Sequence, residues 1–216
     1  MPNRQTCIIG GSFNPIHMGH LQMARSAQAQ CMADEVWFLP AGNPWQKPQG
    51  DLAPTEVRRR LVELAIEGVH SWRIETHELD AKGPSYTVET LEALSEMYPH
   101  DRFVFVIGAD QLNNLTSWKH WNSLFDFARI GVVERTAWGD FKVPAELKKH
   151  LLHDRLFRIP MPSVNVSSTF IRKQFELIED KNPQVAETAR AQLEASLPSA
   201  VYKYLTTTPV YGRAQP

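Results

Sequence analysis

The run Thr6-Cys7-Ile8-Ile9 followed by Gly10-Gly11-Ser12-Phe13-Asn14-Pro15-Ile16-His17-Met18-Gly19-His20 leaves this chain few ways to fold. Four residues rich in apolar and β-branched side chains read as a buried strand. Two glycines then permit a tight turn and a close approach of ligand to backbone. Asn14-Pro15 offers an N-cap followed by proline at the first helical position, so a helix is predicted to start there. Its unpaired N–H groups and the positive end of its dipole would sit above the strand, which makes an anion site. His17 and His20, three residues apart, would share one face of that helix at the same end. Two imidazoles beside exposed amides suit a polyphosphate. Each part has an ordinary structural explanation alone, since glycine pairs precede many helices and a single helical histidine is commonly packed or solvated. The conjunction within one short stretch is what points to function.

The rest of the chain repeats the alternation. Glu35–Pro40 reads as a second buried strand, giving a βαβ opening and a parallel sheet. Arg102-Phe103-Val104-Phe105-Val106-Ile107-Gly108 is the strongest strand and belongs at the sheet centre, with further strands at Trp72–Thr76, Ala128–Val133 and Leu156–Ile159. The first helix is expected to reach about Ala29, with Leu21, Ala24, Ala27 and Gln28 at helical spacing. Thr55–Glu67 is expected to bury Val57, Leu61, Leu64 and Ala65, ending at Gly68; Arg58, Arg59 and Arg60 point in different directions and read as mostly solvated, outside any site. A helix after Pro84-Ser85-Tyr86-Thr87 turns Val88, Leu91, Leu94 and Met97 inward, with Ser85 or Thr87 as a cap. Pro144–Leu152 reads as a short helix or surface insert with Lys148, Lys149 and His150 solvated. Ser167, Ser168 or Thr169 caps a helix burying Ile171, Phe175 and Ile178, and Pro183–Leu197 and Leu197–Leu205 complete the helices. The fold class is α/β: a doubly wound, mostly parallel, Rossmann-like sheet with helices on both faces, in one domain over 1–216 with C-terminal helices from about 167.

Composition narrows the function classes. A net charge of −1 over 216 residues argues against a nucleic-acid or membrane surface held by bulk charge, so any anion site must be local. Cys7 and Cys31 make neither a disulfide framework nor a metal spacing and read as buried thiols. No apolar leader precedes the first strand and no long apolar run occurs, from which a cytoplasmic location is expected.

The eleven residues Gly10 to His20 match the pattern G-G-[ST]-F-[DN]-P-x-H-x-G-H. This resembles the signature of the HxGH nucleotidyltransferases, and the full form is similar to the bacterial nicotinate-nucleotide adenylyltransferases. Pro84-Ser85-Tyr86-Thr87 with Thr90-Leu91, Gly108-Ala109-Asp110, Thr116 with Trp118, and Val166-Ser167-Ser168-Thr169 with Ile171-Arg172 resemble further segments of that family. The resemblance implies adenylyl transfer from ATP to nicotinate mononucleotide in NAD biosynthesis, with Mg²⁺ accompanying ATP and no dedicated metal ligands. It implies that His17, His20, Lys47 and Arg172 serve the transfer. Gly10, Gly11, Ser12, Phe13, Gly19, Gly108, Asp110, Ser167 and Ser168 would meet ATP. Asn14, Trp45, Tyr86, Thr87 and Trp118 would meet the mononucleotide. For Asp110, ribose binding stands against a helix cap; for Trp118, ring stacking is implied. Two segments depart from the family's form: Val166 replaces Ile, and Pro44-Trp45-Gln46-Lys47 keeps the cation of Pro-Pro-His-Lys but not its histidine; Asn14, within the pattern, stands where many relatives carry Asp.

The chemistry needs little more. A mononucleotide phosphate has its second pKa at about 6 and is already an anion near neutral pH, so no general base is required. The demands are charge neutralisation and in-line positioning. Rival readings are a nicotinamide-mononucleotide or phosphopantetheine adenylyltransferase, a non-catalytic nucleotide-binding regulator, and a zinc hydrolase using His17 and His20. Helical zinc pairs sit at i, i+4 with a third ligand, and this pair does not.

Overall fold

A computed structural model describes residues 3–43, 52–81, 83–134, 143–208 and 210–211. Six strands form one sheet: β1 (Gln5–Gly11), β2 (Glu35–Pro40), β3 (Trp72–Ile74), β4 (Arg102–Gly108), β5 (Ala128–Glu134) and β6 (Leu156–Pro160). Their order is β3-β2-β1-β4-β5-β6 and every pairing is parallel. The chain winds outward from β1 to β3, returns across the sheet to β4, and winds outward again. The reversal falls between β1 and β4, where a doubly wound sheet opens a crevice at the carboxyl ends of its strands.

Alternation along the strands feeds two cores. Cys7 and Ile9, Val36 and Phe38, and Val104 and Val106 turn to one face; Ile8, Trp37 and Leu39, and Phe103, Phe105 and Ile107 turn to the other. The first face is covered by α1 (Met18–Cys31), α2 (Thr55–Ile66), α8 (Ser168–Leu177), α9 (Pro183–Ser196) and α10 (Ser199–Thr207). The second is covered by α4 (Thr87–Met97), α5 (Ala109–Asn114) and α6 (Leu124–Phe127). Short α3 (His77–Asp80) follows β3, and α7 (Lys148–Leu152) precedes β6. Among the described residues no helix is long and apolar enough to cross a membrane. Cys7 and Cys31 are both buried, unbridged thiols.

Four local expectations are corrected. Helix α1 starts at Met18 with His17 at its N-cap, three residues after the expected start. The reason is that Asn14 is buried and its side chain is used elsewhere, as described below. On α2 the buried stripe is Arg58, Leu61, Val62 and Ile66, with Val57, Leu64 and Ala65 only packed at its edge. Met97, at the last position of α4, is 52% exposed, and it is the next residue, Tyr98, that meets the sheet, edge-on to Trp37 at 4.8 Å. His150 is only partly exposed: its ring stacks on Phe125 at 3.6 Å, nearly parallel at 6°.

Candidate active site

A cavity of about 750 Å³ opens at the carboxyl ends of β1, β2, β4 and β5. Of the residues singled out in the sequence, Gly10, Gly11, Ser12, Gly19, His20, Thr87, Gly108, Asp110, Trp118 and Ser167 line it. Phe13, Asn14, His17, Tyr86, Ser168 and Arg172 are not in its wall. Phe13, Asn14 and His17 are buried, and several of the six hold wall residues in place. Trp45 and Lys47 lie outside the described residues.

The two histidines do different jobs. His17 is 3% exposed and caps α1, while His20 occupies the third helical position and reaches the cavity. The main-chain N–H of His17 donates to Nδ1 of His20 at 3.2 Å, and the rings stack with centroids 3.8 Å apart. Phe13 meets the His20 ring edge-on at 5.0 Å from the other side. With Nδ1 accepting, the proton of the neutral ring belongs on Nε2, so His20 is a fixed donor. Gly19 is what allows the rings to lie there, since a Cβ at this position would come within 3.0 Å of the His17 ring and 3.2 Å of Val166.

Asn14 ties this loop to two remote parts of the chain. Its Oδ1 accepts from the Ala53 N–H at 3.0 Å and from the Tyr211 hydroxyl at 2.8 Å. Burial pushes the Tyr211 phenol well above its usual range, which keeps it a neutral donor. The Asn14 carbonyl accepts from Arg172 Nη1 at 2.9 Å, while Arg172 Nη2 donates to Thr169 Oγ1 at 3.3 Å. Ser168 donates to the Pro15 carbonyl at 2.9 Å. Ser167 is the N-cap of α8, accepting from the Phe170 N–H at 3.1 Å. The second motif is therefore stitched directly onto the first, and two helix N-termini, those of α1 and α8, meet at one side of the cavity.

The other walls come from β4 and α4. Gly108 is the N-cap of α5, and Asp110 lies in its first turn with its carboxylate folded over Gly108, where any Cβ would collide with Oδ1. Asp110 is exposed to the cavity and does not cap α5. At α4 the N-cap is Tyr86, with no side-chain cap from Ser85 or Thr87. Trp118 meets Phe105 edge-on at 6.3 Å, and its buried Nε1–H finds no hydrogen-bond partner among the described residues. Lys119 lies 4.1 Å from the Tyr86 ring centroid and pairs with Glu89 at 2.6 Å, pinning the Trp118 segment to the start of α4. Among the described residues no group of three or more His, Cys, Asp or Glu could hold a metal ion.

Three buried charges went unrecognised in the sequence. Arg58 is 1% exposed, Glu78 is 7% exposed, and Glu134, in the cavity wall at the end of β5 and paired with Arg158 at 2.7 Å, is 9% exposed. Arg58 shares its stripe with Leu61 and Val62, three and four residues on, and that phase was the available signal. Glu78 sits in a four-residue helix with no periodicity to betray it.

The cytidylyltransferase-like family model matches residues 8–174. The protein named "Probable nicotinate-nucleotide adenylyltransferase" in Methylibium petroleiphilum is 33% identical over 212 residues, covering 98% of this chain and 94% of that one. The chain belongs to the nicotinate-nucleotide adenylyltransferase family. A like-named protein of Maridesulfovibrio salexigens is 37% identical over 142 residues, 66% of each chain. In fold, this adenylyltransferase is similar to the Plasmodium falciparum nicotinic acid mononucleotide adenylyltransferase complexed with NaAD, with a TM-score of 0.70 at 19% identity and coverage of 95% and 96%.

Proposed function

We infer that this family member transfers the adenylyl group of ATP to nicotinate mononucleotide, giving nicotinate adenine dinucleotide and pyrophosphate as a step of NAD biosynthesis. A phosphate oxygen of the mononucleotide attacks the α-phosphorus of ATP, and the bond from that phosphorus to the bridging oxygen of pyrophosphate breaks. One observation carries the reading: His20, with its Nδ1 engaged by the His17 N–H, lines a cavity shared by the N-termini of α1 and α8. Donors fixed before substrate arrives lose little on reorganisation as charge develops on the phosphates.

In this reading His20 and the amides of the Gly10–Ser12 turn hold the α- and β-phosphates, with His17 fixing the His20 ring. Lys47 and Arg172 meet the departing pyrophosphate, Arg172 from the position its bond to Asn14 gives it. Asp110, with Gly108, takes the ribose hydroxyls of ATP, and Phe13 and Ser168 support the wall around Ser12 and Ser167. Thr87 and the first turn of α4 meet the pyridine carboxylate, Trp118 the ring, and Asn14, Tyr86 and Trp45 complete that half. The donor set fits a divalent cation that travels with the triphosphate, since Mg²⁺ keeps several waters and takes substrate phosphates as ligands, and Asp110 has an exposed carboxylate in the cavity wall that could accept from one of those waters. Mg²⁺ carried on ATP would neutralise charge on the β- and γ-phosphates. We place the reaction in the cytoplasm, where two unbridged thiols are at home, and treat the chain as one domain because α8, α9 and α10 share a core with α1 and α2. The deciding experiment is pyrophosphate release from ATP with nicotinate mononucleotide, nicotinamide mononucleotide or phosphopantetheine as acceptor. Turnover is expected with the first, and turnover with phosphopantetheine alone would overturn the assignment.

A further inference from the structure

The peptide unit joining Ala41 to Gly42, just past β2, is gripped from both ends by buried side chains of opposite charge. Arg58 Nη1 donates to the Ala41 carbonyl at 2.6 Å and to the Ser12 carbonyl at 3.1 Å. Nη2 donates to the Gly42 carbonyl at 3.1 Å and Thr55 Oγ1 at 3.4 Å, and Nε to the Ala53 carbonyl at 3.1 Å. None of these acceptors is a carboxylate. A trans peptide points its C=O and N–H in opposite directions, so the carbonyl turned to Arg58 turns the Gly42 N–H away from it. That N–H faces the Glu78 carboxylate, which lies beside the Ser85 hydroxyl and accepts from Thr90 Oγ1 at 3.0 Å. The cation thus sits at the negative end of the peptide dipole and the carboxylate at its positive end.

Packing enforces the same contact. A Cβ on Gly42 would overlap the main-chain oxygen of Glu78, so the strand exit lies flat against α3. Asn43 and Ser85 then exchange two hydrogen bonds, Ser85 N–H to the Asn43 carbonyl at 3.2 Å and Asn43 N–H to Ser85 Oγ at 3.4 Å. Ala41, Glu78, Ser85 and Thr87 are neighbours in the cavity wall, on the side assigned above to the pyridine nucleotide.

We propose that Arg58 and Glu78 are positioning residues, a two-sided clamp on the Ala41–Gly42 peptide that sets the pyridine-nucleotide wall of the cavity. Arg58 locks that wall to the Ser12 turn, and Glu78 locks it to the start of α4. Glu78 acts on the mononucleotide half alone, whereas Arg58 ties that half to the Ser12 turn of the ATP half.

The inference rests on the adenylyl-transfer reading, and two measurements separate them. In Glu78→Gln the new amide presents N–H where a donor already stands, and the Gly42 N–H cannot rotate away as a hydroxyl can. The KM for nicotinate mononucleotide is expected to rise about tenfold, the scale of one net hydrogen bond, with the KM for ATP within about twofold. Arg58→Lys, which keeps the charge and loses the fork, also releases the Ser12 carbonyl and is expected to raise both KM values. Equal rises in both KM values for Glu78→Gln, or none for either variant, overturn the proposal. The second measurement is hydrogen–deuterium exchange of the wild-type Gly42 amide, expected to be as slow as the amides inside β2. Exchange at the rate of an open loop overturns the clamp even if neither variant folds. A wild-type protein that turns over no pyridine mononucleotide defeats the adenylyl-transfer reading, while the exchange result still decides the clamp.

Discussion

The main-chain N–H of His17 donates to Nδ1 of His20, so the first histidine of the motif fixes the ring of the second. The capping residue spends its own backbone donor, an orphan of the helix start, on orienting the side chain that meets the substrate. His20→Ala is expected to lower kcat by about 10²-fold or more, the scale for one preorganised donor. A variant within a factor of two of wild type would remove His20 from the transfer.

Gly19→Ala tests whether the stack matters rather than either ring alone. The added methyl meets the His17 ring at 3.0 Å and Val166 at 3.2 Å, so the ring must shift by a few tenths of an ångström. Helix propensity favours alanine by up to about 1 kcal/mol, which offsets part of the packing loss. The expected result is kcat/KM down about tenfold, a 1.4 kcal/mol effect, with little change in thermal midpoint. A fully active variant would show that the transfer tolerates a displaced His17.

Arg172→Lys preserves charge but not the two-armed contact with the Asn14 carbonyl and Thr169 Oγ1. It is expected to raise the KM for ATP by roughly tenfold, since an ammonium cannot hold Asn14 and reach phosphate in the same geometry. If ATP kinetics stay intact, Arg172 serves only to join α8 to the loop.

Choice between acid and amide substrates follows from charge. The first turn of α4 and the Thr87 hydroxyl favour an anion, and the amide of nicotinamide has none to offer. Preference for the acid is expected at roughly ten- to a hundred-fold in kcat/KM, from a charge-assisted contact of about 1.5–3 kcal/mol. Trp118→Ala should weaken both substrates and leave their ratio nearly unchanged. A ratio near one overturns the assignment of the α4 wall without touching the transfer itself.

The sheet was legible because its strands are written in apolar runs bounded by turns. Glu35–Pro40 and Arg102–Gly108 appear in the structure with the ends read from the sequence. The start of α1 was misjudged because Asn-Pro looks like a cap and first turn, whereas the side chain of Asn14 is taken by Ala53 and Tyr211. Local sequence cannot announce a donor that arrives from the far end of the chain. Arg58 was misjudged for a related reason: three adjacent arginines read as a wet surface, and only the loop carbonyls of Ser12, Ala41 and Gly42 make one of them a buried residue. Motif spacing located the cavity wall and part of what holds it, His17, Ser168 and Arg172, whereas Arg58 and Glu78 carry no motif.

The bond from Tyr211 to Asn14 spans 197 positions. Translation delivers residue 211 well after residue 14, and domains fold as units while synthesis proceeds from the N-terminus. A nascent chain can therefore assemble β1 through β6 and still lack one of the two hydrogen bonds that hold Asn14 Oδ1. The nucleotide-binding turn is finished by a residue that follows all six strands, so the turn reaches its final form only after the whole sheet has been made.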